Sequence, residues 1–244
     1  MTKLLPPYRW LSTTLTTFTS QRIKWLKEHR GNGFGKKLWE FAWNRVVADS
    51  RTIGLDGAVA MQEKYKGLGF RESFYSYRYK AHSSSIKEKA ASILSDKINI
   101  KSGKEVEFEA LLTFDTKHVG APRSKFLLLM LKREDGDSAV ALNDQGQITG
   151  FTILRKSMDG YRFAQFYADS YDIAQQLFIH LASKVDGNVF IDTPVVEGRE
   201  DDLHKTFRMD RCGENMRMYQ IGTTQQDFCK LPMQNIYGVI WEFG

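Results

Sequence analysis

The sequence predicts an α+β protein made of two successive units. Three observations carry this. EHRGNGFGKKLWEFA, residues 28–42, sets three alternating glycines at the mouth of an amphipathic run; TIGLD and FRESFYSYRYK then read as strands; and the order strand–helix–strand–helix–strand recurs in the second half.

In the first unit, Leu38, Phe41, Ala42 and Val46 recur at helical spacing and are expected to face inward, with Lys36, Lys37 and Arg45 off that face. Thr52 to Asp56 reads as a short buried strand. AVAMQEKYKGLGF reads as a short helix closed by Gly67 or Gly69, and Phe70 to Lys80 has the alternating aromatics of a strand. Ala81 to Ala90 is polar, small and without periodicity, and reads as a linker. The expected domains are therefore 1–80, a linker at 81–90, and 91–244. The second is expected to fold alone and the first to lean on it or on a partner.

In the second unit, FEALLTFDTKHV and SKFLLLMLKRE read as helices, and DSAVALNDQGQITGFTILRKS as a hairpin turning at Asn143 to Gly146. RFAQFYAD is the next strand. SYDIAQQLFIHLASKV is a helix capped by Ser170 or Asp169, with Ile173, Ala174, Leu177, Phe178 and Leu181 inward. GNVFIDTPV reads as a strand, REDDLHKTFRM as a helix, and NMRMYQIG and IYGVIWEFG as closing strands.

The 244 residues are 42% hydrophobic and 26% charged, an ordinary globular composition, which excludes disordered and collagen-like chains. No run reaches the roughly 18 apolar residues of a membrane-spanning helix, and no membrane partner is expected. Cys212 and Cys229 form neither a C-x-x-C pair nor a metal spacing, so no metal is expected and a reducing, cytoplasmic location is the default. Residues 1–27 carry Lys3, Arg9, Arg22, Lys24 and Lys27, no acid, and a Ser/Thr-rich middle, the composition of a mitochondrial transit peptide; mitochondrial import is the alternative location. The basic excess is uneven. Residues 1–80 hold 15 Lys+Arg against 6 Asp+Glu, whereas 81–244 hold 20 against 23. An anionic ligand in the first unit fits this asymmetry. Nucleic acid has charge alone to support it and is not the expected partner.

A glycine-lined entry to a helix lets an anion approach unpaired amides at the positive end of the helix dipole. A P-loop is excluded, because Gly31 to Lys36 is one residue short and Lys37 stands where a magnesium-binding hydroxyl belongs. A dinucleotide fingerprint is weak, because Gly31, Gly33 and Gly35 are wrongly spaced and IKWLKEHR is a poor strand.

Arg30-Gly31-Asn32-Gly33-Phe34-Gly35 resembles the R/Q-x-x-G-x-G/A loop of the GNAT N-acetyltransferases, and Tyr65-Lys66-Gly67-Leu68-Gly69-Phe70 is similar to that family's Y-x-x-x-G-F ending. DTKHVGAPRSKFLLLML, GQITGFTILRK, FYADSYDIAQQLF, VFIDTP and RMYQIG resemble the GNAT-like C-terminal domain of two-domain acetyltransferases. The resemblance implies tandem GNAT-like domains, with mixed sheets flanked by helices. It implies acetyl-CoA as cosubstrate, held by Arg30, Gly31, Asn32, Gly33, Phe34, Gly35 and Lys36, and an amine acceptor, small molecule or protein. Tyr65 would protonate the departing thiolate. Its other reading is a packed aromatic. Where a phosphate loop would precede the second unit's long helix, Tyr167-Ala168-Asp169-Ser170 has no glycine. Only some 27 residues precede the first loop, so the first domain is expected to be incomplete and N-terminally truncated. Asp56 and Glu63 are the carboxylates nearest in sequence to serve as base; His180 reads as structural. The function expected is N-acetyl transfer from acetyl-CoA to an amine by direct attack. The alternative is a non-catalytic CoA-binding or protein-interaction relative.

Overall fold

The computed structural model describes residues 12–13, 17–19, 31–47, 52–94, 98–200, 202–220 and 233–239. In chain order the elements are β1 (Ser12–Thr13), β2 (Thr17–Thr19), α1 (Phe34–Val47), β3 (Thr52–Gly57), a 3-10 turn at Val59–Met61, α2 (Gln62–Gly67) and β4 (Arg71–His82). There follow α3 (Ser83–Ala90), β5 (Asn99–Ser102), α4 (Phe108–Val119), α5 (Ser124–Leu131), β6 (Gly136–Leu142), β7 (Ile148–Ser157) and β8 (Gly160–Ala168). α6 (Tyr171–Ala182), β9 (Asn188–Pro194), α7 (Leu203–Thr206), β10 (Asp210–Gln220) and β11 (Ile236–Gly238) complete it.

All the described strands join one mixed sheet in the order β1-β2-β3-β10-β4-β9-β8-β7-β6-β5, with β11 added on β8. Two pairs are parallel, β2 with β3 and β8 with β9, and a helix crosses between the members of each, α1 and α6 respectively. The rest of the path is antiparallel. The Asn143 turn closes the β6–β7 hairpin: Gly146, at φ +75°, donates its N–H to the Asn143 carbonyl at 2.9 Å.

Three cores form along the sheet. Met216 on β10 lies opposite Tyr75 on β4, which shares its face with Tyr77, Tyr79 and Ala81. The face that receives α1 and α2 over Ile53, Leu55, Phe70, Met216 and Met218 is therefore the face that receives α3, α6 and α7 over Leu154, Phe163, Phe166 and Ile191. α4 and α5 cover the opposite face, over Val140, Phe151, Ile153 and Ala164.

The structure bears on four expectations. Residues 81–90 are not a loose linker: β4 runs to His82, whose ring caps α3, and Ser83, Ile86 and Ala90 are buried on one side of that helix. Small residues hid the period. Phe41 points outward and is 68% exposed; Trp39 and Trp43, stacked at 5.6 Å, pack on the sheet instead, because two indoles bury more apolar surface than Leu38 and Phe41. The side chains of Ala42, Arg45 and Val46 lie outside the described residues. The stretch ahead of the loop, expected to leave the first domain incomplete, carries two short strands. β2 pairs in parallel with β3, Thr17 to Thr19 against Thr52 to Gly54, and β1 pairs with β2. Finally, the two halves interleave. β10 sits between β3 and β4, and β4 sits between β10 and β9. The basis for expecting residues 91–244 to fold alone is thereby lost.

Candidate functional site

A helix that crosses between parallel strands runs against them, so the N-terminus of α1 lies at the sheet edge where β3 ends in Asp56 and Gly57. The loop ahead of it is built on left-handed backbone, Gly31 at φ +83° and Gly33 at φ +75°, and a Cβ at either would meet nothing within 4 Å. Glycine is needed here for backbone freedom and for the open approach it leaves. Lys37 donates its N–H to the Gly33 carbonyl at 3.1 Å, which closes the first turn of the helix. Asn32 is exposed, and Phe34 is 44% exposed beside the loop. Gly35 is the second residue of the helix. Lys36, with its side chain 81% exposed, approaches Glu40 at 3.8 Å. Arg30 lies outside the described residues.

Tyr65 stands at the same sheet edge. Its ring covers Gly57, where a Cβ would come within 3.1 Å of it, and packs 6.0 Å from both Trp39 and Phe70. Trp39 lies five residues into α1, so the Tyr65 ring meets the helix roughly 8 Å from its N-terminus. The ring is half-buried against this core and lies beside the loop helix. The structure brings Tyr65 and the glycine loop to one helix and one sheet edge. Glu63 does not join them: it pairs with Lys66 at 2.9 Å, and Lys66 pairs at 2.9 Å with Glu72 as well.

On the opposite face of β3, Arg217 of β10 donates to Asp56 at 2.7 Å. Burial pushes the Asp56 carboxyl up to about 6 against the pull of Arg217. A second buried pair follows along the sheet, Arg78 with Asp192 at 2.6 and 2.9 Å. Sequence reading named Asp56 without its partner. The signal available was alternation alone, and Arg217 is 161 residues away.

The second parallel pair is built differently. At the start of α6, Ser170 caps the helix by accepting from the Ile173 N–H at 3.3 Å, and the Asp169 carboxylate stands 3.9 Å from Lys117. Asp115, Arg123 and Tyr167 form a buried network: Arg123 bonds both Asp115 oxygens at 2.7 Å and Tyr167 Oη at 2.9 Å. His118 stacks on Tyr167 at 4.8 Å, and burial lowers its pKa. Burial also lowers the pKa of His180, in the last turn of α6. Among the described residues no group of three His, Cys, Asp or Glu is arranged to hold a metal, and no helix is long and apolar enough to cross a membrane.

Residues 111–238, more than half of the chain, match the family model described as Acetyltransferase (GNAT) domain. Holothin acyltransferase of Pseudoalteromonas sp. (strain SANK 73390) is 29% identical over 197 residues, covering 75% of this chain and 62% of that protein; the chain thus spans less than two thirds of this relative's length. Among solved structures, a proposed acetyltransferase from Pyrococcus horikoshii superposes with a TM-score of 0.67 at 17% identity, over 93% of this chain and 71% of that one. A tandem GNAT protein from the clavulanic acid biosynthesis pathway superposes with a TM-score of 0.57 at 10% identity, over 88% and 78%. The fold carries these two likenesses. With the family match spanning most of the second unit, and the mixed sheet and flanking helices in place, the chain belongs to the GNAT acetyltransferase family.

Proposed function

We propose that the chain transfers an acetyl group from acetyl-CoA to an amine, using the first parallel strand pair as its catalytic unit and the second as a GNAT-like companion. One observation carries this reading: the left-handed glycine loop leads into α1, and Tyr65 packs against the same helix, at the carboxyl end of β3. The pyrophosphate lies on the amides of residues 31–36, with Arg30 and Lys36 adding positive charge. The amine nitrogen attacks the thioester carbonyl, its proton passes to water, and the C–S bond breaks. Tyr65 Oη protonates the departing thiolate and takes back the proton that the water received from the amine. The acyltransferase name of the Pseudoalteromonas relative supports acyl transfer, and the repeated strand–helix–strand crossover supports the tandem reading.

A second reading, a relative that binds CoA or a protein without turnover, is favoured by the fact that the family match begins at Leu111, beyond the glycine loop. Release of free CoA thiol from acetyl-CoA, measured against a panel of amines, separates the two. Turnover with any amine, lost in Gly33→Val, supports transfer. CoA binding without turnover supports the second reading.

A further inference from the structure

β8 and β9 pair at only two positions, Tyr161 with Val189 and Arg162 with Phe190. Beyond Arg162 the register of β8 against β7 shifts between Ala164 and Tyr167, and Gln165 takes φ +43°. The two parallel strands part there. Parted strands turn ladder N–H and C=O groups into a gap inside the protein, where each needs a partner.

Residues 235–239 supply those partners. Ile236 and Gly238 pair with Tyr167 and Phe166; the Ala168 N–H donates to the Asn235 carbonyl at 3.1 Å; the Val239 N–H donates to the Asp192 carbonyl of β9 at 2.8 Å. The side chains are sorted as in a bound peptide. Ile236 enters the core under α4 and α5, Tyr237 the core under α6. Gly238 passes the narrowest point, where a Cβ would stand 2.9 Å from Phe166 Cβ and 3.3 Å from Ile191 Cγ1. Arg199 locks the segment. Its side chain is 6% exposed, it donates to the Ile236 carbonyl at 2.7 Å and the Pro194 carbonyl at 3.1 Å, it pairs with Asp202 at 3.1 Å, and its guanidinium lies 5.1 Å over the Tyr237 ring.

We infer that the opening between β8 and β9 is a binding site for an extended polypeptide segment, that residues 233–239 of the chain itself are its ligand, and that this unit therefore takes no acyl-CoA. The capped start of α6 agrees, since Ser170 already occupies an amide that a phosphate would use. The last clause rests on the acyl-CoA reading of the first unit; the peptide site does not.

The test uses the full chain and hydrogen exchange read by mass spectrometry. In Gly238→Val the segment is expelled, so amides of 163–168 and 235–239 exchange as exposed loops do while β6 keeps its protection. Adding the peptide Met-Gln-Asn-Ile-Tyr-Gly-Val restores protection of 163–168 with one peptide per chain, and the same peptide with valine for glycine does not. Failure of the native peptide to bind the folded variant overturns the site. Should Gly238→Val unfold the chain, Arg199→Gln takes its place: faster exchange confined to 163–168 and 235–239 supports the site, and unchanged exchange overturns it. Calorimetry of the wild type with CoA is expected to give one site per chain and to leave exchange at 235–239 unchanged. Two sites, or loss of protection at 235–239 on adding CoA, overturns the exclusion. No CoA binding at all removes the acyl-CoA reading and leaves the peptide arm to decide the site.

Discussion

Arg217 on β10 donates to Asp56 on β3 at 2.7 Å, and the two are directly opposed in the ladder that splices one half of the chain into the other. Burial holds the Asp56 carboxyl at about 6, above its ordinary value of 3.8, so the folded protein binds this proton more tightly than the unfolded chain. The sign follows: the contribution is fully present below the unfolded value and is lost as pH rises through the folded one. Wild-type stability should fall between about pH 4 and about pH 6 by an amount on the order of a few kcal/mol from this group, and Asp56→Asn should flatten that window. Urea midpoints across the window measure it, and identical pH slopes in the two proteins would refute the assignment.

Arg123→Leu leaves the Asp115 carboxylate buried without its bidentate partner. A loss of about 3–5 kcal/mol is expected, with much of it recovered in the double variant Asp115→Leu/Arg123→Leu, because removing both charges removes the desolvation penalty. Denaturant unfolding of the three variants gives the coupling. A double variant no more stable than Arg123→Leu sinks the account.

Gly33→Val forces a β-branched residue into φ +75° at the mouth of α1. CoA binding should disappear while the main thermal transition persists, because no neighbour lies within 4 Å of the added Cβ. Equal CoA affinity in the two proteins would take the loop out of the ligand site.

Tyr65→Phe keeps the ring against Trp39, Phe70 and Gly57 and removes only the hydroxyl. With CoA affinity unchanged, kcat should fall on the order of 10²–10⁴-fold if the hydroxyl protonates the thiolate. Equal turnover of wild type and Tyr65→Phe reduces Tyr65 to packing.

Expressed alone, residues 91–244 should lack a cooperative thermal transition. Without β4, both β9 and β10 lose the strand between them. A sharp transition in that piece would show that the two strands find another partner.

The sequence by itself determined what is local. The Ser170 cap, the Asn143 to Gly146 turn, the strands read at 52–56 and 70–80, and the glycine entry to α1 all follow from residue type and spacing over a few positions, because local backbone conformation is written within the element. Tyr65 and the loop were legible together for the same reason, being part of one short run of elements. Only the tertiary structure decided which apolar side of α1 wins, that Ser83 to Ala90 is a helix docked against α6, and that β10 enters between β3 and β4. It also decided that Asp56 meets Arg217 and that residues 235–239 fill the gap beside β8. A strand carries donors, acceptors and an alternating pattern that any edge can satisfy; which edge it meets depends on all the others, and no spacing within the segment records that choice.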